Sequence, residues 1–562
     1  MPHLGSVSSN TAENDRTAIA RPSSCPTADS RKAGGLSIAP ELTLLAVFAY
    51  YLAAWVDVRL IFWNQNDLFL GTCRFVRPFL IWPGQPCHWA GKLLLQPCSL
   101  GWPGMLVLTC LAGTLVFAAR AYYLRLKPGE TARYACGVPA ILLAVILGQY
   151  TVDLSAILGL AVAIVGSGLY SILPGHRHGL RLLVFVGASL LIDYAAGNAY
   201  YVFAACCVIL EFSFASRRRL GVALLLVVPL VVFGVERSLW QLNVAFVHAE
   251  MPEVRYRIGP GAAEAGLLTA LYVSFPACAL FLAMQDRFVA RFAKLRSTAT
   301  SPVGPASQDC GDDGTTDGTP NHRPHAAKGG VSGRILRWAV APALVAIAAA
   351  GVRWSGAACT RAILAIDCHA NDRNWDAVLE AAERLPSGIR AEDVSGDINL
   401  ALYHTGRLPY DMFRYPQSQV MADQDSGNRG RLQAREAFDL LLALGRVNEA
   451  ETVAHDDQEH HPSAEAMRRI VLVKRIKGQT GAARVYLNVL RDEVCYGHWA
   501  VEQLARLDEN AEPPEPEIAE ARRRMIVADD AYRTHGETES RIVSISRVNQ
   551  LVSLLDRDPT NR

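Results

Sequence analysis

Lysine and arginine alternate with apolar stretches along the first two-thirds of the chain, and no other feature restricts the fold as strongly. Nine stretches are apolar enough to cross a bilayer, which takes about 20 such residues. They are Glu41–Trp63, Trp102–Leu124, Ala135–Tyr150, Asp153–Leu173, Arg181–Ala196, Asn198–Ser216, Leu220–Leu239, Gly266–Met284 and Ile335–Trp354. The third and fifth are short and extend into their flanks. Arg16, Arg21, Arg31 and Lys32 precede the first. Arg125, Lys127 and Arg133 follow the second, Arg177 and Arg181 the fourth, Arg217, Arg218 and Arg219 the sixth, and Arg287, Arg291, Lys294 and Arg296 the eighth. The intervening gaps are poorer in basic residues. Cytoplasmic loops carry the basic excess, so the N-terminus is expected in the cytoplasm. Nine crossings then leave the C-terminus outside. A lipid-facing backbone must satisfy its own hydrogen bonds, so the spans are expected to be helices.

Residues 1–40 are rich in Ser, Thr, Ala and Arg and lack an apolar run, which reads as a disordered cytoplasmic tail rather than a cleaved signal. Spans one to eight occupy 41–284, a Gly-, Asp-, Thr- and Ser-rich flexible cytoplasmic linker 285–334, and the ninth span 335–354. From 355 to 562 the chain carries 34 Asp and Glu against 26 Lys and Arg, so the overall charge of +2 hides an acidic C-terminal region. Phosphate binding needs clustered positive charge, which argues against a nucleic-acid partner. Two outer loops are expected, 64–101 and 240–264. In the first, Arg77–Gly84 and Trp89–Leu95 read as an amphipathic element at headgroup depth, with Trp82, Trp89 and Trp102 as anchors.

Beyond residue 354 the pattern is amphipathic helix, glycine, helix. Gly406, Gly445 and Gly478 each follow a helical run and can take the left-handed capping conformation before the next helix. Gly445 and Gly478 lie 33 residues apart, close to the 34-residue tetratricopeptide period. The helix beginning Trp375-Asp376-Ala377-Val378 is of the same kind. The expected fold is therefore all-α: about nine transmembrane helices, then a soluble, irregular tetratricopeptide-like helical domain over 355–562.

Phe79 to Leu106 (FLIWPGQPCHWAGKLLLQPCSLGWPGML), Asp397 to Gln417 (DINLALYHTGRLPYDMFRYPQ) and the runs Glu436–Ala450 and Ala482–Leu490 together resemble the domain of unknown function 6057 family. The most specific part is Asn399-Leu400-Ala401-Leu402 followed by Gly406, Leu408, Met412, Phe413, Pro416 and Gln417. The resemblance implies a multi-pass architecture with a helical-repeat tail, and implies no activity and no catalytic residues.

Ionisable groups at membrane depth are costly and mark candidate sites. Asp57, Asp153 and Asp193 fall toward the outer ends of spans. With Asp67 they are candidates to line one outward-facing cavity, as a base or metal-binding carboxylate acting on a lipid-linked substrate. Arg237, Arg255 and Arg257 are candidates to hold a lipid phosphate. Glu211, near an inner end, is expected to snorkel toward Arg217 or Arg218. The run His455–His461 has metal-ligand residue types but reads as a solvated loop between helices, as do His322 and His325 within the linker, so no metal and no cofactor are expected. Cys87 with Cys98, and Cys359 with Cys368, are candidate disulfides in an oxidising compartment. Two functional readings follow. One is an envelope interaction or scaffold protein of the inner membrane, anchored in the bilayer, whose outer solenoid binds a protein or polymer. The other is a membrane enzyme or transporter acting on a lipid-linked, glycan-type substrate at the outer leaflet.

Overall fold

The computed structural model describes residues 38–65, 67–150, 153–231, 234, 261–299, 357–418, 431–508 and 516–525. Among these, every element is helical apart from an isolated antiparallel bridge between Leu70 and Glu493. The N-terminal bundle contains α1 (Ala39–Trp55), α2 (Val58–Asn64), α3 (Cys73–Ile81), α4 (Gln85–Leu95), α5 (Trp102–Leu126), α6 (Glu130–Ala135), α7 (Val138–Leu147), α8 (Leu154–Ile172), α9 (His178–Ala196), α10 (Tyr200–Ser213), α11 (Arg218–Val231) and α12 (Gly261–Ala299).

Among the described residues, four helical stretches are long and apolar enough to cross a membrane: Trp102–Leu126, Leu154–Ile172, His178–Ser213 and Gly266–Gln285. The first expected span is instead a broken pair, α1 and α2, bent by 70°. The break has a local cause. Val56 is extended, and the Asp57 carboxylate caps α2 by accepting the Arg59 N–H. The expected third span is a shorter apolar helix. The 36-residue stretch His178–Ser213 turns back on itself. Phe185 stacks on Phe203 with ring centroids 5.7 Å apart, and Arg181 bonds Glu211. At 1.5 Å per residue a straight helix would hold that ion pair about 45 Å apart. Gly197, at φ 54°, makes the reversal, so α9 and α10 form an antiparallel hairpin. The seventh expected span is followed to Val231; residues 285–299, expected to open the flexible linker, instead continue α12 as helix, and Ile335–Trp354, residues 300–334 and nearly all of the tail lie outside the described residues.

Glu211 does not snorkel. It and Arg181 are both fully buried; Arg181 Nε donates to Glu211 Oε1 at 2.8 Å and Nη1 to the Leu173 carbonyl at 2.6 Å, with the guanidinium 4.5 Å from the Tyr170 ring. A second buried pair, Glu41–Arg120, ties α1 to α5. Carboxylates within an apolar bundle take the nearest guanidinium because solvation by water is out of reach.

The C-terminal array contains α13 (Ala357–Asn371), α14 (Trp375–Glu383), α15 (Ser395–His404), α16 (Leu408–Asp411), α17 (Arg431–Ala443), α18 (Val447–His460), α19 (Ala464–Ile476), α20 (Thr480–Leu490), α21 (Gly497–Asp508) and α22 (Pro516–Arg524). Four hairpin turns share one hydrogen bond, closing from residue i+5 back to i: Asn374 to His369, Arg407 to Leu402, Arg446 to Leu441 and Gln479 to Lys474, at 2.8–2.9 Å. The residue before each donor is left-handed: Arg373, Gly406, Gly445 and Gly478. At Gly445 a Cβ would also meet the Arg524 carbonyl at 2.3 Å, so α22 packs there only because the turn carries glycine. The histidine-rich run proves helical rather than a loop. Val453, Ala454 and Asp457 face the core of α18, and this amphipathic stripe, with the helix-favouring Glu and Ala around it, carries the helix through His460.

Candidate functional site

The array sits on one end of the bundle, and that contact is polar and buried. Asp367 on α13 accepts hydrogen bonds from Trp63 Nε1 at the end of α2 and from Arg435 Nη1 on α17 at 2.8 Å. The Arg435 guanidinium lies 4.3 Å from the Trp63 ring. Backbone bonds extend the junction: Leu68 N–H to the Pro462 carbonyl at 3.0 Å, and Gly71 N–H to the Asp492 carbonyl at 2.9 Å. Cys495 approaches Gln96 at 3.4 Å. The loop after α2 is therefore a seat for the array. Within it, α4 folds onto the bundle, while α3 packs on α4 and buries none of its residues. Gly84 donates to the Tyr194 carbonyl at 2.8 Å, and α4 lies so close to α8 that a Cβ on Gly91 would meet Ser155 backbone at 2.6 Å. Leu80, Ile81 and Trp82 remain half exposed, an apolar tip that suits headgroup depth.

The sequence-selected carboxylates take separate partners. Asp57 pairs with Arg59 at 3.0 Å. Asp153 caps α8 and faces His88 on α4 at 3.3 Å. Asp67 pairs with Lys92 on α4 at 3.3 Å. Asp193 is buried on α9 near Tyr200. Phe79 links two of these pairs, stacked on His88 at 6.0 Å and under Lys92 at 5.9 Å, so Asp67 and Asp153 belong to one cluster. Asp57 instead lies beside α13, within the electrostatic reach of Asp372 through Arg59. Arg237, Arg255 and Arg257 lie outside the described residues. The described cysteines, Cys87, Cys98, Cys359 and Cys368 included, are free thiols, so neither candidate disulfide forms. Among the described residues no three His, Cys, Asp or Glu side chains could hold a metal ion.

The feature that sequence reasoning missed is a groove of about 250 Å³ in the array, walled by α13, α14, α15, α17, α19, α21 and α22. Arg373, Arg468, Arg469, Arg475 and Arg524 line it. Three carboxylates line it too, and two of them are committed: Glu465 to Arg468 and to Tyr496 Oη at 2.9 Å, Glu520 to Arg524. The third, Asp439, stands 3.9 Å from Arg469 Nη2, and burial pushes its carboxyl up. Arg469 is only 6% exposed, and its Nη1 has no hydrogen-bond partner. At one end Trp375 and His404 stack at 4.5 Å and 7°, and at the other Arg468 lies over Trp499 at 5.8 Å. The His404 imidazole is pushed down by burial and by Arg373. The sequence signal was hidden because these side chains come from seven helices spread over about 150 residues.

Beneath the groove, the family-like motif proves architectural. Glu436 on α17 accepts the Asp397 N–H at 3.2 Å and fills the space over Gly396, where a Cβ would meet its Oε1 at 1.9 Å. Burial pushes Glu436 up to about 8 and raises Asp397 as well. Asn399 and Gln417 exchange side-chain hydrogen bonds at 2.8 and 3.3 Å, and Gln417 also donates to the Met412 carbonyl at 2.7 Å. This amide pair pins the segment after α16 to α15.

The match of a family model spans residues 35–562, nearly the whole chain, and the protein belongs to that family, described as a family of unknown function (DUF6057). No curated protein and no solved structure matches the chain.

Proposed function

We propose that this is a nine-span inner-membrane protein of the cell envelope that holds a protein or polymer partner on a tetratricopeptide-like module outside the cytoplasm. The observation that carries the reading is the groove: a concave, arginine-rich surface with aromatic ends, built from successive helical hairpins, as repeat arrays present to partners. Its volume lies below the roughly 300–1,000 Å³ of drug-sized ligand sites, which suits a chain end or a few side chains rather than a cofactor. The orientation rests on two independent supports. The basic gaps favour a cytoplasmic N-terminus. The array is seated on Trp63, the last residue of the first expected span, and on Leu68, Gly71 and Gln96 beyond it, so both belong on one side of the bilayer. The alternative, chemistry on a lipid-linked substrate, requires the outer carboxylates to converge. Only Asp67 and Asp153 share a cluster, where Asp67 already faces Lys92 and Asp153 faces His88.

A photo-crosslinker placed at Leu472 in the groove of the full chain, in intact cells, should trap one envelope component. The same crosslinker at Arg384, exposed at the C-cap of α14, should not. Equal capture from both positions, or from neither, would sink the reading.

A further inference from the structure

We infer that the groove recognises a carboxylate-bearing peptide segment, with Arg469 and Arg373 as the groups that receive the carboxylate. This rests on the reading of the array as a partner-binding module and names the chemistry of the partner.

Three observations converge. The first is charge. Five arginines and three carboxylates line the groove, and two of those carboxylates, Glu465 and Glu520, pair with Arg468 and Arg524. Guanidinium forks match carboxylates bidentately.

The second is Arg469. Its guanidinium is more than nine-tenths buried, has an unmade bond at Nη1, and stands 3.9 Å from Asp439, too far for a hydrogen bond. A buried, under-coordinated guanidinium is costly. A ligand carboxylate entering beside Asp439 would complete it.

The third is Arg373. The three other hairpin turns of this type place glycine in the left-handed position, and only this one places an arginine there, at φ 55°. A non-glycine residue pays a steric penalty in that conformation, and strain of this kind collects at ligand sites. The left-handed turn projects Arg373 into the groove lining beside His404. The stacked Trp375–His404 pair and Trp499 offer flat faces for the apolar parts of a peptide.

The test uses the full chain in nanodiscs and two randomised hexapeptide pools, one ending in a free carboxylate and one amidated. The wild type should enrich acidic or free-carboxylate peptides. Arg469→Gln and Arg373→Gly should each reduce that enrichment at least ten-fold. The second variant restores the residue used in the other turns, so its fold is secure even if the first is not. Enrichment of basic or uncharged peptides, or undiminished binding by Arg373→Gly, would overturn the assignment. So would displacement by millimolar inorganic phosphate with no dependence on peptide sequence, which would assign the site to a phosphate group. If the Leu472 crosslinker traps a partner that acidic peptides do not displace, only the ligand chemistry fails. If it traps nothing, the partner-binding reading fails with it.

Discussion

Arg373 and Glu436 are residues whose chemistry runs against the local rule, and each leads to a measurement. Arg373 occupies a left-handed turn position that glycine fills in the other hairpins. Replacing it with glycine should stabilise the array by about 1 kcal/mol, read as a higher denaturation midpoint, even as ligand binding falls. A loss of stability would mean that the arginine is held by contacts worth more than the strain. Glu436 is a buried carboxyl whose folded value, about 8, lies above its ordinary 4.5. The folded chain keeps that proton while the unfolded chain releases it. Its contribution is therefore complete below about pH 4.5 and is lost as the pH rises to about 8. The melting temperature of the array should fall across that window, and Glu436→Gln should reduce the slope, leaving the part that the raised Asp397 contributes, while keeping an acceptor for the α15 amides. Sequence could identify the turns at Gly406, Gly445 and Gly478 because glycine advertises positive φ. It could not identify the turn at Arg373, since nothing in an arginine announces that conformation.

Helices in this protein are joined by buried charge where hydrophobic pattern alone would leave their pairing open. Arg181 and Glu211, 30 residues apart in sequence, bind α9 to α10. Glu211→Gln should leave Arg181 buried without its counter-charge and cost about 3–5 kcal/mol, seen as a shortened half-life in detergent. Replacing both residues with leucine should recover most of the loss. The sequence offered Arg217 and Arg218 as partners because they are near in number. Spatial proximity across a hairpin reversal is not written in local spacing. The same limit explains α1 and α2, which read as one apolar run. The break is set by a single capping carboxylate, Asp57, which the hydropathy pattern presents only as an oddly placed charge.

At the scale of the whole molecule, the Trp63–Asp367–Arg435 contact holds two helical bodies in one arrangement. Asp367→Asn should weaken both hydrogen bonds and leave Arg435 uncompensated, again at about 3–5 kcal/mol. Hydrogen exchange should rise in α2 and α13 together while the far hairpin α19–α20 stays protected. If exchange changes only in α13, the two bodies are not coupled through this residue. Alkaline phosphatase joined behind Arg562 should be active and a fluorescent protein silent; the reverse would place the array in the cytoplasm. Apolar runs and basic gaps made the span-capable helices legible, and helix–glycine–helix punctuation made most of the array legible. The groove and the seat were not, because both assemble from side chains far apart in the chain. That separation also bears on biogenesis. Trp63 leaves the ribosome 304 residues ahead of Asp367. At about 5–20 residues per second, it waits roughly 15–60 s with its indole nitrogen unmatched. A nascent chain cut short before α13 would expose that vacancy, giving quality-control proteases a simple mark for incomplete copies.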